Sequence, residues 1–582
     1  MGVFDKASLA LVPDGIKDGK LYSIKPTDGS GDFTFTRGSN LAATRVDENG
    51  LIEKGRENLV EFSNVFDTSN TLFNVTVSSG EAGYDGTNNA WKLIKGSSSG
   101  DYLKWTESGS LGAAVFTYSI YVKAGSLSYF VIWTTGGNQA YFELTGNGSV
   151  TYTQGSALVD SKIESVGNGW YRCSLTTYFN NSEVRFYPTT DGTPGVAGGT
   201  SGDFVYIQNF QAEYGLVATE YIDRVGYDAA QAGVLENLPR IDYTGGTPSL
   251  LLEPSRTNLI DHSEYFGGYS NTYSTNEVNA TISPEGLTNA TFFKEDTSTG
   301  SHILNKSAIV VAGVYTASVF VKANGRDWIF LNIAPASNYG AYFDLSNGTT
   351  GTILSNITSA TIEDYGNGWY RCSLTADTAT DSLSPRIAMY LALSNNQVSY
   401  TGDGTSGVYI FGAQLEAGSY PTSYIPTYGT AATRSNDYKQ LNDLISLGLV
   451  SNDTFTYFAE LNCENIIRDS STLAIQIGSS PQRILFYNST TDASRFKIYI
   501  QDGTTQIYTL TADVSKICIS VQPNLIKVYE NGVNVLTTTQ NLDLTSNSNY
   551  IMYGDNRAFS LKQAVLFPEA LSDADCITLT TP

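Results

Sequence analysis

The chain has 582 residues, too many for a single hydrophobic core and enough for roughly three to five domains. Asp and Glu number 57 against 34 Lys and Arg, a formal charge of −23, and so acidic a surface repels phosphate backbones and excludes nucleic acid as a partner. Two His leave little room for Ser-His-Asp or His-metal chemistry, and no run approaches about 18 apolar residues, so no membrane partner is expected.

Tyr (38), Phe (26) and Gly (55) are abundant and no long stretch shows a 3.6-residue apolar period, so the expected class is all-β. In chain order, residues 1–55 are an N-terminal segment too short for its own core and expected to dock elsewhere. Its start, Met-Gly-Val-Phe-Asp-Lys, is not read as a secretory leader. Within it, Asp28-Gly29-Ser30-Gly31-Asp32 sets oxygens at alternate positions, as calcium loops do, but lacks the distal bidentate Glu. It reads as a polar turn, and no metal or cofactor is expected. Residues 56–225 are the first of two related units. Residues 226–255 read as an ordered connector, because a loose linker would lack Leu250-Leu251-Leu252-Glu253-Pro254. Residues 256–434 are the second unit. Residues 435–582 are an unrelated β unit, with strand patterns at 454–458, 496–500 and 526–529.

The relation between the two units is a duplication. Gly-Asn-Gly-Trp-Tyr-Arg-Cys-Ser-Leu-Thr occurs unchanged at Gly167–Thr176 and, 199 residues on, at Gly366–Thr375. Solenoids repeat at about 20–50 residues, so a whole globular domain is copied here. Tyr118–Ala124 matches Ala317–Ala323, Ala140–Leu144 matches Ala341–Leu345, and Arg56-Glu57-Asn58-Leu59 matches Arg256-Thr257-Asn258-Leu259. These blocks alternate apolar and polar residues and are joined by Gly, Asn, Asp and Ser turns, the pattern of antiparallel jelly-roll sandwiches.

On a strand, Tyr171, Cys173 and Leu175 share one face, the natural core face, and Trp170, Arg172 and Ser174 share the other. The second face admits two readings. Trp170 and Arg172, with Trp369 and Arg371, bind ligand by stacking a sugar ring and bonding its hydroxyls. Alternatively, each Trp covers the sheet edge with Arg lying over it as a cation–π pair. Retention of the motif while the loops differ is explained more simply by packing. Glu213 and Glu416 occupy matching places, as do Glu143 and Asp344, yet no companion motif marks a catalytic pair and no catalytic residue is expected. His262 is Phe62 in the first copy, outside the shared design. Cys173, Cys372, Cys463, Cys518 and Cys576 are odd in number, widely spaced and without CxxC, and read as free buried thiols.

Three passages resemble known proteins. The Gly-Asn-Gly-Trp-Tyr-Arg block, with Ala413–Gly418 and Thr422–Thr427, resembles a jelly-roll module of bacteriophage structural proteins that is similar to carbohydrate-binding modules. Asp32–Ser39 with Ala43-Thr44-Arg45 looks like the N-terminal region of phage tail and head-fibre proteins, in which a run like Leu250–Leu259 also recurs. The last unit, with Lys527–Gly532 before Leu566–Asp575, is similar to concanavalin A-like (laminin-G-like) sandwiches. The resemblance implies a virion protein, a tail or head fibre assembled in the bacterial cytoplasm. It would be homotrimeric, bound to other virion proteins through residues 1–55, and would present its modules to host or environmental glycans. Such folds host many functions. Two alternatives stay open: a tailspike-type polysaccharide depolymerase, for which no β-helix period is present, and a purely architectural capsid or collar protein without ligand.

Overall fold

The computed structural model describes residues 2–582 apart from 12–15, 18, 36, 39–40, 68–69, 99, 107–111, 179–182, 193–197, 236, 245, 309–310, 438, 463–472, 490–491, 512–515, 545–549 and 554–558; Cys463 lies outside the described residues. The expected class holds: the chain is a series of antiparallel β-sandwiches. In the first copy one sheet runs, in spatial order, Leu158–Gly167, Trp170–Tyr178, Val115–Ala124, Phe204–Tyr214, Ala90–Lys95 and Val75–Glu81. The sheet facing it runs Ser149–Gln154, Asn138–Glu143, Tyr129–Thr134, Glu183–Thr189, Tyr102–Thr106 and Thr71–Phe73. The second copy repeats both sheets strand for strand. Register is preserved too: Lys123 opposes Trp170, and Lys322 opposes Trp369. The duplicated string opens with a tight hairpin. Asn168 and Gly169 have φ of 53° and 76°, and Asn367 and Gly368 of 52° and 79°, positive at both central positions as a type I′ turn requires. Tyr171, Cys173 and Leu175 enter the first core, as expected for that face.

Each jelly roll is closed by a short strand pair, Arg56–Asn58 with Ala230–Ala232 and Arg256–Asn258 with Ala432–Arg434. The first unit therefore extends past 225 to 232, whereas the second ends at 434. The shared Arg-x-Asn-Leu has a physical reason. Asn58 Nδ2 donates to the Phe210 and Ile222 carbonyls, and its Oδ1 accepts from the Val60 and Ala212 amides. Asn258 does the same with Ala413, Ile425, Ile260 and Leu415. A buried amide with all four capacities filled staples the closing strand to the sheet.

The segments 1–55 and 226–255 are integrated rather than separate. Leu9–Leu11 and Ser249–Leu252 both pair with Phe559–Phe567, end to end along one side, while Phe455–Asn462 takes the other. They complete an eight-stranded sheet that faces the six-stranded sheet beginning at Lys439–Asn442. Leu9, Leu11, Leu21, Phe33, Ile241, Leu250 and Leu252 lie in that C-terminal core. Four parts of the chain meet at a buried charge cluster. Arg240 donates to Glu253 at 2.8 Å, to the Thr44 carbonyl at 3.0 Å and to Asp437. Arg434 lies 3.0 Å from Glu253, and Arg37 reaches Asp437 at 3.3 Å.

The two copies meet along a seam where Tyr214 stacks on Tyr428 with centroids 5.4 Å apart and Tyr178 meets His262 at 5.1 Å. His262 thus serves the seam, which explains why the first copy does without it. At the same seam Lys54 Nζ lies 2.7 Å from Glu264 and 2.9 Å from Glu285, all three buried. Burial pushes Glu285 up, Lys54 pulls it down and Glu264 adds to the rise, leaving it at about 7 against an ordinary 4.5. The folded chain then keeps a proton that the unfolded chain releases, so stability falls as pH rises from about 4.5 through 7. Glu285→Gln is expected to remove this decline: urea midpoints between pH 5 and 8 should fall for the parent chain and stay level for the variant. Parallel declines would refute the assignment.

Candidate ligand-binding face

The duplicated motif does not reach solvent. Trp170 is 1 % exposed and Trp369 2 %. Trp170 packs against Tyr84, which stacks on Tyr121 at 3.8 Å. Tyr84 corresponds to Pro284 in the second copy, and there the N-terminal hairpin Thr44–Val46/Ile52–Lys54 takes over the cover. The Ile52 amide donates to the Pro284 carbonyl at 2.9 Å, and the Ile52 side chain joins Trp369, Phe320 and Phe411. The arginines do not lie over the tryptophans. Arg172 sits over Tyr121 at 5.3 Å and Arg371 over Phe320 at 5.4 Å, because those rings oppose them in register on the neighbouring strand. Their Nη2 groups donate to Ser119 and Ser318 at 2.9 and 3.0 Å. The ligand-binding reading of Trp170, Arg172, Trp369 and Arg371 is corrected accordingly: a sugar has no access to these faces, and the four side chains are packing.

The matched carboxylates are likewise occupied. Glu213 accepts from the Gln211 amide at 2.7 Å and the Thr219 backbone at 2.9 Å, and Glu416 repeats this with Gln414 and Thr422. Glu143 and Asp344 cap the turns that follow them through Thr145 and Ser346. Asp28 bonds Ser30 while Asp32 turns to Ser23, so these oxygens do not converge on one point.

The face left open is the outer side of the other sheet of the first copy. Strand register lines its side chains into two ranks. One crosses the sheet as Phe73, Tyr102, Tyr187, Val131, Tyr141 and Tyr152. The next crosses as Thr71, Lys104, Arg185, Trp133, Gln139 and Gln154. Phe73 stacks on Tyr102 at 4.9 Å, Tyr102 meets Tyr187 at 5.2 Å, and Phe73 is 47 % exposed. The Arg185 guanidinium lies 4.7 Å over Tyr102 and 4.3 Å over Trp133, holding both rings in place while Glu183 neutralises it. Lys104 is 3.4 Å from the other Glu183 oxygen, and Gln139 donates to Gln154 at 2.9 Å. Tyr102, Trp133 and Tyr187 are each part-exposed. Sequence reasoning missed this face. Alternation in Tyr129–Thr134 does put Tyr129, Val131 and Trp133 on one side, but the ranks gather residues from strands far apart in sequence. The middle of the aromatic rank is buried in both copies: Val131 and Tyr141 are 4 % and 8 % exposed, and their equivalents Phe330 and Tyr342, packed with Leu354 and Val398, are 6 % and 7 % exposed, so the accessible aromatics of the first-copy face include Phe73, Tyr102, Tyr187 and Trp133.

No family model and no curated protein matches the chain. Solved structures to which it is similar include the N-terminal CBM22-1–CBM22-2 tandem domain of Xyn10C from Paenibacillus barcinonensis, at 12 % identity and a TM-score of 0.22, covering 66 % of this chain and 100 % of that one. Another is the arabinofuranosyltransferase AftD from mycobacteria, at 9 % identity and a TM-score of 0.14, covering 86 % of this chain and 37 % of that one. A third is the GH78 family rhamnosidase of Bacillus sp. GL1, at 9 % identity and a TM-score of 0.13, covering 79 % and 54 %. Likeness at these scores carries no argument about ligand.

Proposed function

We propose that the chain attaches to carbohydrate through the open face of its first jelly roll, as a fibre or decoration protein of a bacteriophage particle. The carrying observation is the pairing of the two ranks on that face. A sugar ring offers an apolar C–H face and a rim of hydroxyls; the aromatic rank matches the first and the polar rank the second. The accessible aromatics Phe73, Tyr102, Tyr187 and Trp133 lie on four neighbouring strands, which at about 4.8 Å spacing make a strip of roughly 14 Å, room for a short run of sugar units. The virion half of the reading rests on the sequence resemblance alone. Because residues 1–55 share a core with the C-terminal sandwich, contact with other virion proteins would be made by that joint body.

Affinity electrophoresis of the full chain through gels containing host surface polysaccharide or neutral glucans tests attachment. Trp133→Ala and Tyr102→Ala are each expected to weaken retardation about tenfold, or ~1.4 kcal/mol, with melting temperatures close to the parent. Unchanged retardation in both variants would remove the face from consideration. New reducing ends after incubation with the polysaccharide would replace attachment by cleavage, the depolymerase alternative. Cryo-electron microscopy of the particle locates the chain and counts its copies, three being expected from the resemblance.

A further inference from the structure

The cation on the sugar-facing sheet is placed differently in the two copies. In the first, Arg185 opposes Trp133 and is neutralised by Glu183 two residues before it. In the second, register puts Ala388 opposite Asn332 where Arg185 opposed Trp133, and Arg386 stands at the place of Glu183. The cation has moved two residues along the strand, and its carboxylate has gone. Among the described residues Arg386 has no ion-pair partner, in a chain of charge −23. It is nevertheless held in position: Nε and Nη2 both donate to Asn332 Oδ1, at 3.0 and 2.8 Å, and Nη2 reaches the Tyr390 hydroxyl at 3.3 Å. Asn332 is 2 % exposed and is itself anchored, its Nδ2 donating to the Ala336 carbonyl at 2.9 Å. The cross-strand neighbours are neutral hydrogen-bonding groups, Ser307 opposite Arg386 and Asn305 opposite Ala388.

A buried amide that fixes one edge of a guanidinium leaves the remaining N–H groups pre-oriented for an anion. With Nε and both Nη2 protons engaged by Asn332 and Tyr390, the two Nη1 protons are left to donate a charge-assisted hydrogen bond to a carboxylate oxygen. The leading edge of the covered aromatic rank, Tyr390, is part-exposed beside it. We propose that the second copy carries a separate subsite for an acidic sugar, in which Arg386, oriented by Asn332, takes the carboxylate of a uronic acid alongside Tyr390. The proposal rests on the attachment reading above and adds a ligand class that the first copy, with its self-neutralised Arg185, does not select.

The test is affinity electrophoresis of the full chain on polygalacturonate and on its fully methyl-esterified, neutral form. The parent should be retarded by polygalacturonate, and esterification or about 0.5 M salt, where the screening length falls to about 4 Å, should abolish most of it. Arg386→Gln should weaken binding to polygalacturonate at least about tenfold, and Arg386→Lys should recover part of it. Parent-like retardation of Arg386→Gln, or equal retardation by the ester, overturns the subsite. Neutral glucans retarding the parent but not Trp133→Ala, with polygalacturonate retarding neither, overturns the subsite and keeps the attachment reading. No retardation by any polysaccharide overturns both.

Discussion

Replacing Asp437 by Asn is expected to lower the stability of the chain by about 3–5 kcal/mol, the cost of leaving buried charge uncompensated. The Asp437 side chain is fully buried and accepts from Arg37, from Arg240 and from the Glu253 amide at 3.1 Å. Without it, Arg240 and Arg434 share Glu253, and Arg37 is left with the Leu235 and Leu238 carbonyls. Lys439 adds to the strain, since burial already pushes it down to about 8 against the pull of Asp437. Because these groups come from the N-terminal segment, the connector, the second copy and the C-terminal unit, the loss should loosen all four together. Urea unfolding with hydrogen exchange across 37, 240–253 and 434–439 reads it; a cost below about 1 kcal/mol would show that the cluster is not the junction's main support. The same cluster sets an acid limit. Burial pushes Glu253 up, but Arg434 and Arg240 outweigh it and hold it at about 2 against an ordinary 4.5. Its folded value is depressed, so its contribution is complete above about 4.5 and is lost as pH falls through about 2.

Phe33→Ala should destabilise the C-terminal sandwich by about 3–5 kcal/mol, although Phe33 lies more than 400 residues from that unit's first strand in sequence. The ring is fully buried, 5.7 Å from Tyr553, in a core shared with Ile475, Phe486 and Ile551. A cavity there is lined by strands of both sheets and cannot collapse by moving one loop. Hydrogen exchange should accelerate in Tyr550–Tyr553 and Phe559–Phe567, while the Trp170–Tyr178 and Trp369–Asp377 strands keep their protection. An unchanged C-terminal unit would mean that the N-terminal segment is a detachable appendage.

The parts legible in the sequence are those written in local pattern. Alternation placed Cys173 and Leu175 in the core, Gly and Asn clusters marked turns in general, of which the structure makes 168–169 and 367–368 type I′ hairpins, and the duplicated string identified two copies with one topology. The closing strand at 230–232 was missed because Ala-Gln-Ala has no strand pattern of its own and is extended only by pairing with Arg56–Asn58. Leu9–Leu11 and Ser249–Leu252 carried apolar character without saying which sheet edge they would complete.

The sequence by itself therefore determined the class, the duplication, and which side of each strand is apolar enough to be core, because period-two alternation and turn chemistry act over a few residues. Only the tertiary structure decided what covers the remaining faces. Tyr84 and Ile52 close the Trp170 and Trp369 faces, the middle of each outer sheet is buried at Val131 and Tyr141 and at Phe330 and Tyr342, and Phe73, Tyr102 and Trp133 of the first copy stay accessible. Burial of a second face depends on which distant segment lies across it, and that is set by packing of the whole chain.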